Sequence, residues 1–208
     1  MISIPERGIY LASRSPRRRE LLSQIGVRYH LLLFRERLGE RPEVDETVLE
    51  GESAAAYVER MARAKAEAGW NRMLQRNLPQ APILAADTTV ALGGRILGKP
   101  ADRAEAAEML KLLSGERHEV LTGVALKSHD FVEFSLSISE VLLKKLSPEE
   151  IAQYVASGEG DDKAGAYAIQ GRAARFIVEL RGSYSGVMGL PLYETSLLLE
   201  KLRGRNSY

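Results

Sequence analysis

The sequence predicts an α/β fold with a mixed sheet, built as two lobes on one sheet. Three observations predict it. Short apolar runs of strand length alternate with capped segments of helix length. Some neighbouring strands are joined by tight turns and others by helical crossovers, so both hairpin and parallel pairings are expected. No internal repeat, low-complexity block or linker divides the 208 residues, and 1–208 read as a single domain.

Gly8 to Ala12 is an apolar run that reads as a strand. Ser15 caps the next helix and Pro16 takes its first position. Leu21, Leu22 and Ile25 supply one apolar face, and Gly26 marks the stop. Val27 to Phe34 reads as a second strand, and Arg35 to Glu52, charged and broken by Gly39, Pro42 and Gly51, as a loop. Ser53 caps a helix expected to run to about Ala68, with Gly69 as its stop. Tyr57, Met61 and Lys65 form one stripe on that helix. Asn71 to Pro82 is a polar connection. Ile83 to Ala86 reads as a short buried strand ending in Asp87. Thr88 to Leu92, Gly93-Gly94 and Arg95 to Leu97 read as a hairpin. Asp102 caps a helix to about Leu113, ended by Gly115. Val120 to Leu126 and Phe131 to Leu143 are longer strands joined around Ser128 to Asp130. Ser147-Pro148-Glu149-Glu150 is a capping box whose helix ends near Gly158. A Gly/Asp-rich loop, a strand from Phe176 to Leu180 and a helix from Pro191 to about Leu202 complete the chain.

Composition narrows the function. Hydrophobic residues make up 45% and charged residues 27%, a soluble globular profile. The formal charge is +1, which argues against a general nucleic-acid surface. Cysteine is absent, so thiol nucleophiles, thiolate zinc sites and disulfides are excluded. Met1 to Arg7 lacks a signal-peptide core and no run is long enough to span a membrane, so the expected location is the cytoplasm. The last residues, from Leu202 to Tyr208, are expected to fray.

The oddest feature is the charge at the first helix. Arg17, Arg18 and Arg19 occupy its first turn, where each cation opposes the helix dipole by a few tenths to about 1 kcal/mol. Together with Ser13, Ser15 and free backbone N–H groups they form either a polyanion site, phosphate foremost, or a solvated basic face. Phosphate-loop, dinucleotide, nucleophile-elbow and His-Glu-x-x-His patterns are missing, and His30, His118 and His129 are scattered. Asp87 follows an apolar strand, where α/β proteins bind ligands; it reads as a carboxylate for Mg²⁺ or water, or as a turn cap. Glu46 is a loop carboxylate and Lys65 a helix-end cation with a stem along a buried stripe. Lys99 reads as a phosphate ligand or an exposed charge, and Gln170 as a base-edge reader or a turn residue. Arginines, lysines and carboxylates without a protein nucleophile suit metal-assisted attack by water on a phosphate ester. Mg²⁺ needs only one or two protein carboxylates for this.

These residues resemble the Maf family of nucleoside triphosphate pyrophosphatases, historically described as septum-formation inhibitors. The opening signature is Leu11 to Arg18. Val44 to Thr47, Ala62 to Ala66, Ala86-Asp87-Thr88, Gly98-Lys99-Pro100, Asp162 to Gly171 and Gly189-Leu190-Pro191 follow in the family's order. The resemblance implies an elongated mixed sheet flanked by helices, with a cleft between two lobes. It implies hydrolysis between the α and β phosphates, and a divalent cation, Mg²⁺ or Mn²⁺. The Lys163 to Gly171 stretch looks like the branch acting on dTTP and UTP. Ser13, Ser15, Arg17 and Arg18 match the phosphate-binding signature, and Glu46 and Asp87 the metal-binding positions. Asp87 is also expected to activate water, and Lys65, Lys99 and Gln170 to line the active site. Thr88, Lys99 and Gln170, with one of the arginines, match the substrate-selecting positions. Arg14 and Arg19 receive no role. The chain departs from the family in Arg14, at a commonly small position, and in a longer loop from Phe34 to Glu43.

The expected partner is thus a nucleoside triphosphate, with a possible homodimer and neither membrane nor general nucleic acid. Two alternatives stand beside it. One is a pyrophosphatase for 7-methyl-GTP or another modified nucleotide. The other is a nucleotide-binding regulator of cell division with little turnover.

Overall fold

The structure, a computed structural model, describes residues 8–33, 44–129 and 131–205. The expectations for Met1 to Arg7, Phe34 to Glu43, Asp130 and the last three residues lie outside them. No helix among the described residues is long and apolar enough to cross a membrane.

In chain order the elements are β1 (Ile9–Leu11), α1 (Pro16–Gln24), β2 (Tyr29–Leu31), α2 (Ala54–Gln75), β3 (Ile83–Leu92), β4 (Arg95–Leu97) and α3 (Arg103–Leu113). Then come β5 (Arg117–Lys127), β6 (Val132–Leu143), α4 (Pro148–Ala156), β7 (Ile177–Arg181), α5 (Tyr184–Met188) and α6 (Leu192–Arg205). One mixed sheet runs β2-β1-β3-β5-β6-β7, and β4 adds to β3. β1 pairs in parallel with β2 and β3, and the other pairs are antiparallel. This is the mixed α/β sheet that the alternation of elements predicts.

The local start signals work as the side chains dictate. Ser53, Asp102 and Ser147 accept backbone N–H groups at 3.2, 2.8 and 3.2 Å. Glu150 returns the bond to Ser147 N at 3.1 Å, which closes the capping box. The cores divide by lobe. Leu110, Leu113, Tyr154 and Phe176 pack α3 and α4 against the sheet at one end. Leu22, Leu84 and Leu199 pack α1 and α6 against it at the other. Ala62, Trp70, Met73 and Ile83 form a further cluster beneath α2. Each large side chain so buried contributes about 1.5–3 kcal/mol.

Four elements differ from the sequence expectation. The second strand holds only Tyr29–Leu31 of the apolar run. Gly69 does not end α2, which continues to Gln75 because Ala62, Ala66, Trp70 and Met73 keep a buried face in helical register. Gly69 is instead a close-packing residue: a Cβ there would lie 2.7 Å from the Ile83 Cγ2 methyl and 3.2 Å from Ala12 Cβ. Third, Asp87 does not end its strand, because β3 is continuous through Asp87, Thr88 and Thr89. The short helix α5 was not expected at all.

Gly69 therefore yields a stability prediction. Gly69→Val is expected to cost about 1–3 kcal/mol through overpacking against β3, despite valine's better helix propensity. Urea unfolding checks this, and unchanged stability would disprove the packing role.

Candidate active site

The site begins with a break in the sheet edge. β1 meets β3 only at Ile83 and Leu84, and β4 meets it only from Val90 to Leu92. Between them no described strand covers that edge, so Asp87 and Thr88 face an opening at the point where the sheet changes direction. Strand alternation sends the two side chains to opposite faces. Asp87 meets α2 through Lys65, and Thr88 meets Thr122 of β5 at 2.9 Å.

All ten sequence-selected residues line one cavity of about 670 Å³: Ser13, Ser15, Arg17, Arg18, Glu46, Lys65, Asp87, Thr88, Lys99 and Gln170. Arg14 also lines it, and Arg19 is not among the lining residues. The opening helix, the loop before α2, the β3 edge, the turn after β4 and the loop after α4 thus converge on one space.

Its acidic wall is tightly organised. Lys65 Nζ lies 2.6 Å from Asp87 Oδ1 and 2.6 Å from Glu46 Oε1. Lys99 Nζ reaches Glu46 Oε2 at 3.5 Å. Asp87 is buried on its strand, whereas Glu46 comes from a loop without regular structure. Two α2 side chains hold that loop. Tyr57 OH donates to Glu46 O at 3.1 Å, and Arg60 binds Glu52 at 2.6 Å and Thr47 O at 2.9 Å. Desolvation raises the Glu46 pKa, but Lys65 and Lys99 more than offset it and hold the carboxyl below its ordinary range. Burial beside Asp87 and Glu46 pushes the Tyr57 phenol up to about 12, so it remains a donor. Asp45, next to Glu46, instead accepts from Thr47 N at 2.9 Å.

The basic wall uses its two arginines differently. Arg18 donates from Nε to Gly189 O at 2.7 Å, from Nη1 to Ser13 Oγ at 3.3 Å and from Nη2 to Thr88 Oγ1 at 3.2 Å. It ties the α1 start to β3 and to the turn after α5. Arg17 is half-buried, and its Nε has no hydrogen-bond partner among the described residues. Desolvation lowers the pKa of both, although an arginine remains charged. Thr122 Oγ1 donates to Gly186 O at 2.8 Å, so it accepts the Thr88 proton. With Arg18 donating to it, Thr88 can only accept from a ligand. Gln170 is exposed, just before Gly171, whose Cβ would lie 2.4 Å from the Glu159 carboxylate. Glu159 accepts from Arg172 N at 2.9 Å and from Tyr154 OH at 2.8 Å, which fixes the turn next to Gln170.

The donor set suits a hard divalent cation. Two carboxylate oxygens converge on one ammonium, so Asp87 and Glu46 are the residues that would hold such an ion, with substrate phosphates and water as its other oxygen ligands. No cluster of three or more acidic, histidine or cysteine ligands occurs among the described residues.

A family model described as "Maf-like protein" matches residues 8–202 of the chain. The chain belongs to the Maf family. Relatives lie along nearly the whole Maf chain. One from Nitrosomonas europaea, named dTTP/UTP pyrophosphatase, is 57% identical over 201 residues, 97% of each chain. Another of that name, from Aromatoleum aromaticum, is 58% identical over 194 residues, 92% of this chain and 94% of the relative. One from Dechloromonas aromatica, also so named, is 55% identical over 93% of this chain and 96% of its own. Among solved structures, the Staphylococcus aureus Ham1 protein superposes with a TM-score of 0.48 at 16% identity, over 95% of this chain and 98% of that one.

The Maf cavity also holds residues that the sequence reading did not select. Lys163 lines it, at the start of the Lys163 to Gly171 stretch that resembles the pyrimidine branch but from which only Gln170 is read as a site residue. Its membership of the same ordered segment as Gln170 was the available signal. Glu159 and Arg60 support the site by contacts with segments 5 to 15 positions away in the chain, beyond the three- or four-residue spacing of a cap or helix pair.

Proposed function

We propose that this chain hydrolyses dTTP and UTP to the nucleoside monophosphate and pyrophosphate, with the machinery gathered around the β3 edge. One observation carries the chemistry. Asp87 and Glu46 converge on Lys65 across a single cavity from the arginine-rich start of α1. The dTTP/UTP pyrophosphatase names of relatives 50–58% identical over nearly full length support the substrate.

The triphosphate lies against Arg17, Arg18 and the α1 N-terminus, with Ser13 and Ser15 shaping that turn. Asp87 accepts a proton from water as the water oxygen bonds to the α-phosphorus. The bond from α-phosphorus to the α–β bridging oxygen breaks, and pyrophosphate leaves with the electron pair. Lys65 holds Asp87 and Glu46 in place, and Arg17, Arg18 and Lys99 stabilise the charge that builds on the phosphates. Thr88 and Gln170 face the nucleoside and favour a pyrimidine by hydrogen bonding. Glu46 and Asp87 are the residues that would hold Mg²⁺ or Mn²⁺, which would supply charge neutralisation on the phosphate oxygens.

A product-resolved panel of dTTP, UTP and 7-methyl-GTP with Mg²⁺ or Mn²⁺ tests this reading. Monophosphate plus pyrophosphate from the two pyrimidine nucleotides is the expected result. Diphosphate plus orthophosphate would refute the cleavage site. Preference for 7-methyl-GTP would refute the substrate choice, and tight binding without product would favour a regulator.

A further inference from the structure

Lys163 stands on the cavity wall without a role in the scheme above. Its side chain is only 16% exposed, low for a lysine. The loop that carries it is held by tertiary contacts. Gly165 N donates to Gly98 O at 3.1 Å, which ties this loop to the turn bearing Lys99. Gly165 packs on Val90 of β3, and Gly160 lies so near Ala166 O that a Cβ would come within 2.1 Å. Ala166 takes a φ of 58°, an uncommon conformation for a residue with a side chain. Lys163 is therefore presented to the cavity by a fixed turn.

Its surroundings are rich in cations. Arg17 of α1 and Lys99 after β4 face it across the cavity, and both act electrostatically to lower its pKa. Glu159 and Asp161 on its own loop act in the opposite sense. Asp161 is also approached by Arg103 of α3 at 4.0 Å, and Glu159 is bound to Tyr154 of α4. Asp162 pairs directly with Lys163 but is 76% exposed, so water screens that pair. Three cations from three separate elements thus converge on one cavity, where a polyanion would relieve their mutual repulsion.

Resting on the proposed triphosphate substrate, we infer that Lys163 is a further substrate-binding residue, which joins Arg17 and Lys99 in gripping the phosphate chain. This gives binding an alkaline limit. Burial foremost, then Arg17, lowers the Lys163 pKa from 10.5 to about 8. A polyanion binds the ammonium form better, so affinity is full below that value and is lost as the pH rises through it.

The experiment compares wild type, Lys163→Arg and Lys163→Met across about pH 7 to 9.5. KM for dTTP and Kd for pyrophosphate and thymidine are measured, the latter two by calorimetry. Wild-type KM is expected to climb above about pH 8 toward the Lys163→Met value. Lys163→Met is expected to weaken dTTP and pyrophosphate about tenfold at pH 7, with thymidine unchanged. Lys163→Arg, charged throughout, is expected to bind well and to flatten the pH profile. An alkaline rise that persists in Lys163→Arg overturns the inference, as does unchanged pyrophosphate affinity in Lys163→Met. Failure of the proposed function looks different: wild type would give no monophosphate, while pyrophosphate calorimetry would still report on Lys163.

Discussion

Asp87→Asn is expected to lower kcat about a thousandfold while leaving the fold and dTTP binding nearly intact. General-base assistance is worth about 10²–10⁴. Asparagine keeps the size of the side chain but cannot take the proton. Structurally the change is mild. Lys65 Nζ sits 2.6 Å from Asp87 and equally close to Glu46, so it keeps one carboxylate and donates to the new amide oxygen. The melting temperature should therefore fall little, in contrast to the 3–5 kcal/mol lost when a buried charge is left unpaired. Glu46→Gln supplies the comparison, because Glu46 is more exposed and sits on a loop. Its larger expected effect is on the concentration of Mg²⁺ or Mn²⁺ required, with a smaller loss of kcat at saturation. Steady-state kinetics at several cation concentrations distinguish the two. If Glu46→Gln abolished turnover and Asp87→Asn did not, the assignment would be reversed.

The Asp87 region also shows what a sequence conveys and what it withholds. The residue type and its association with an apolar strand were legible, but the continuity of β3 was not. Asp87-Thr88-Thr89 reads as a polar interruption because alternation has no knowledge of partners. In the fold, Asp87 meets Lys65, twenty-two positions away, and Thr88 meets Thr122 and Arg18. Those contacts offset the burial of polar groups and let the strand run on. Caps at Ser53, Asp102 and Ser147 were legible because both partners lie within three residues. Gly69 misled because a stop and a close-packing position carry the same letter, and only Ile83 on another element tells them apart. The candidate-site residues were identified by ordered resemblance. Composition and spacing alone left most of them open between binding and solvation, since Arg18 finds Gly189 across 171 positions.

Neighbouring arginines on α1 should respond in opposite ways to removal. Arg18→Ala is expected to reduce kcat/KM about 10²–10³-fold, the usual scale for a preorganised charge donor, and to lower stability as well. Three of its five N–H groups already bind Gly189 O, Ser13 Oγ and Thr88 Oγ1, which leaves two for phosphate. Those acceptors line or border an open cavity, so water replaces the lost bonds and limits the cost to about 1–2 kcal/mol. Arg17→Ala removes no such strut. Its Nε is buried without a partner among the described residues, and its charge lies in the first turn of α1, where the dipole opposes it. Stability should therefore stay level or rise by a few tenths of a kcal/mol, while KM for dTTP increases about tenfold. Paired thermal melts and kinetics separate the cases. Equal destabilisation by both substitutions would contradict the division of labour, and full activity in Arg18→Ala would remove that arginine from the site. A first turn that weakens its own helix and strengthens on binding a polyanion is what a phosphate site at this position requires.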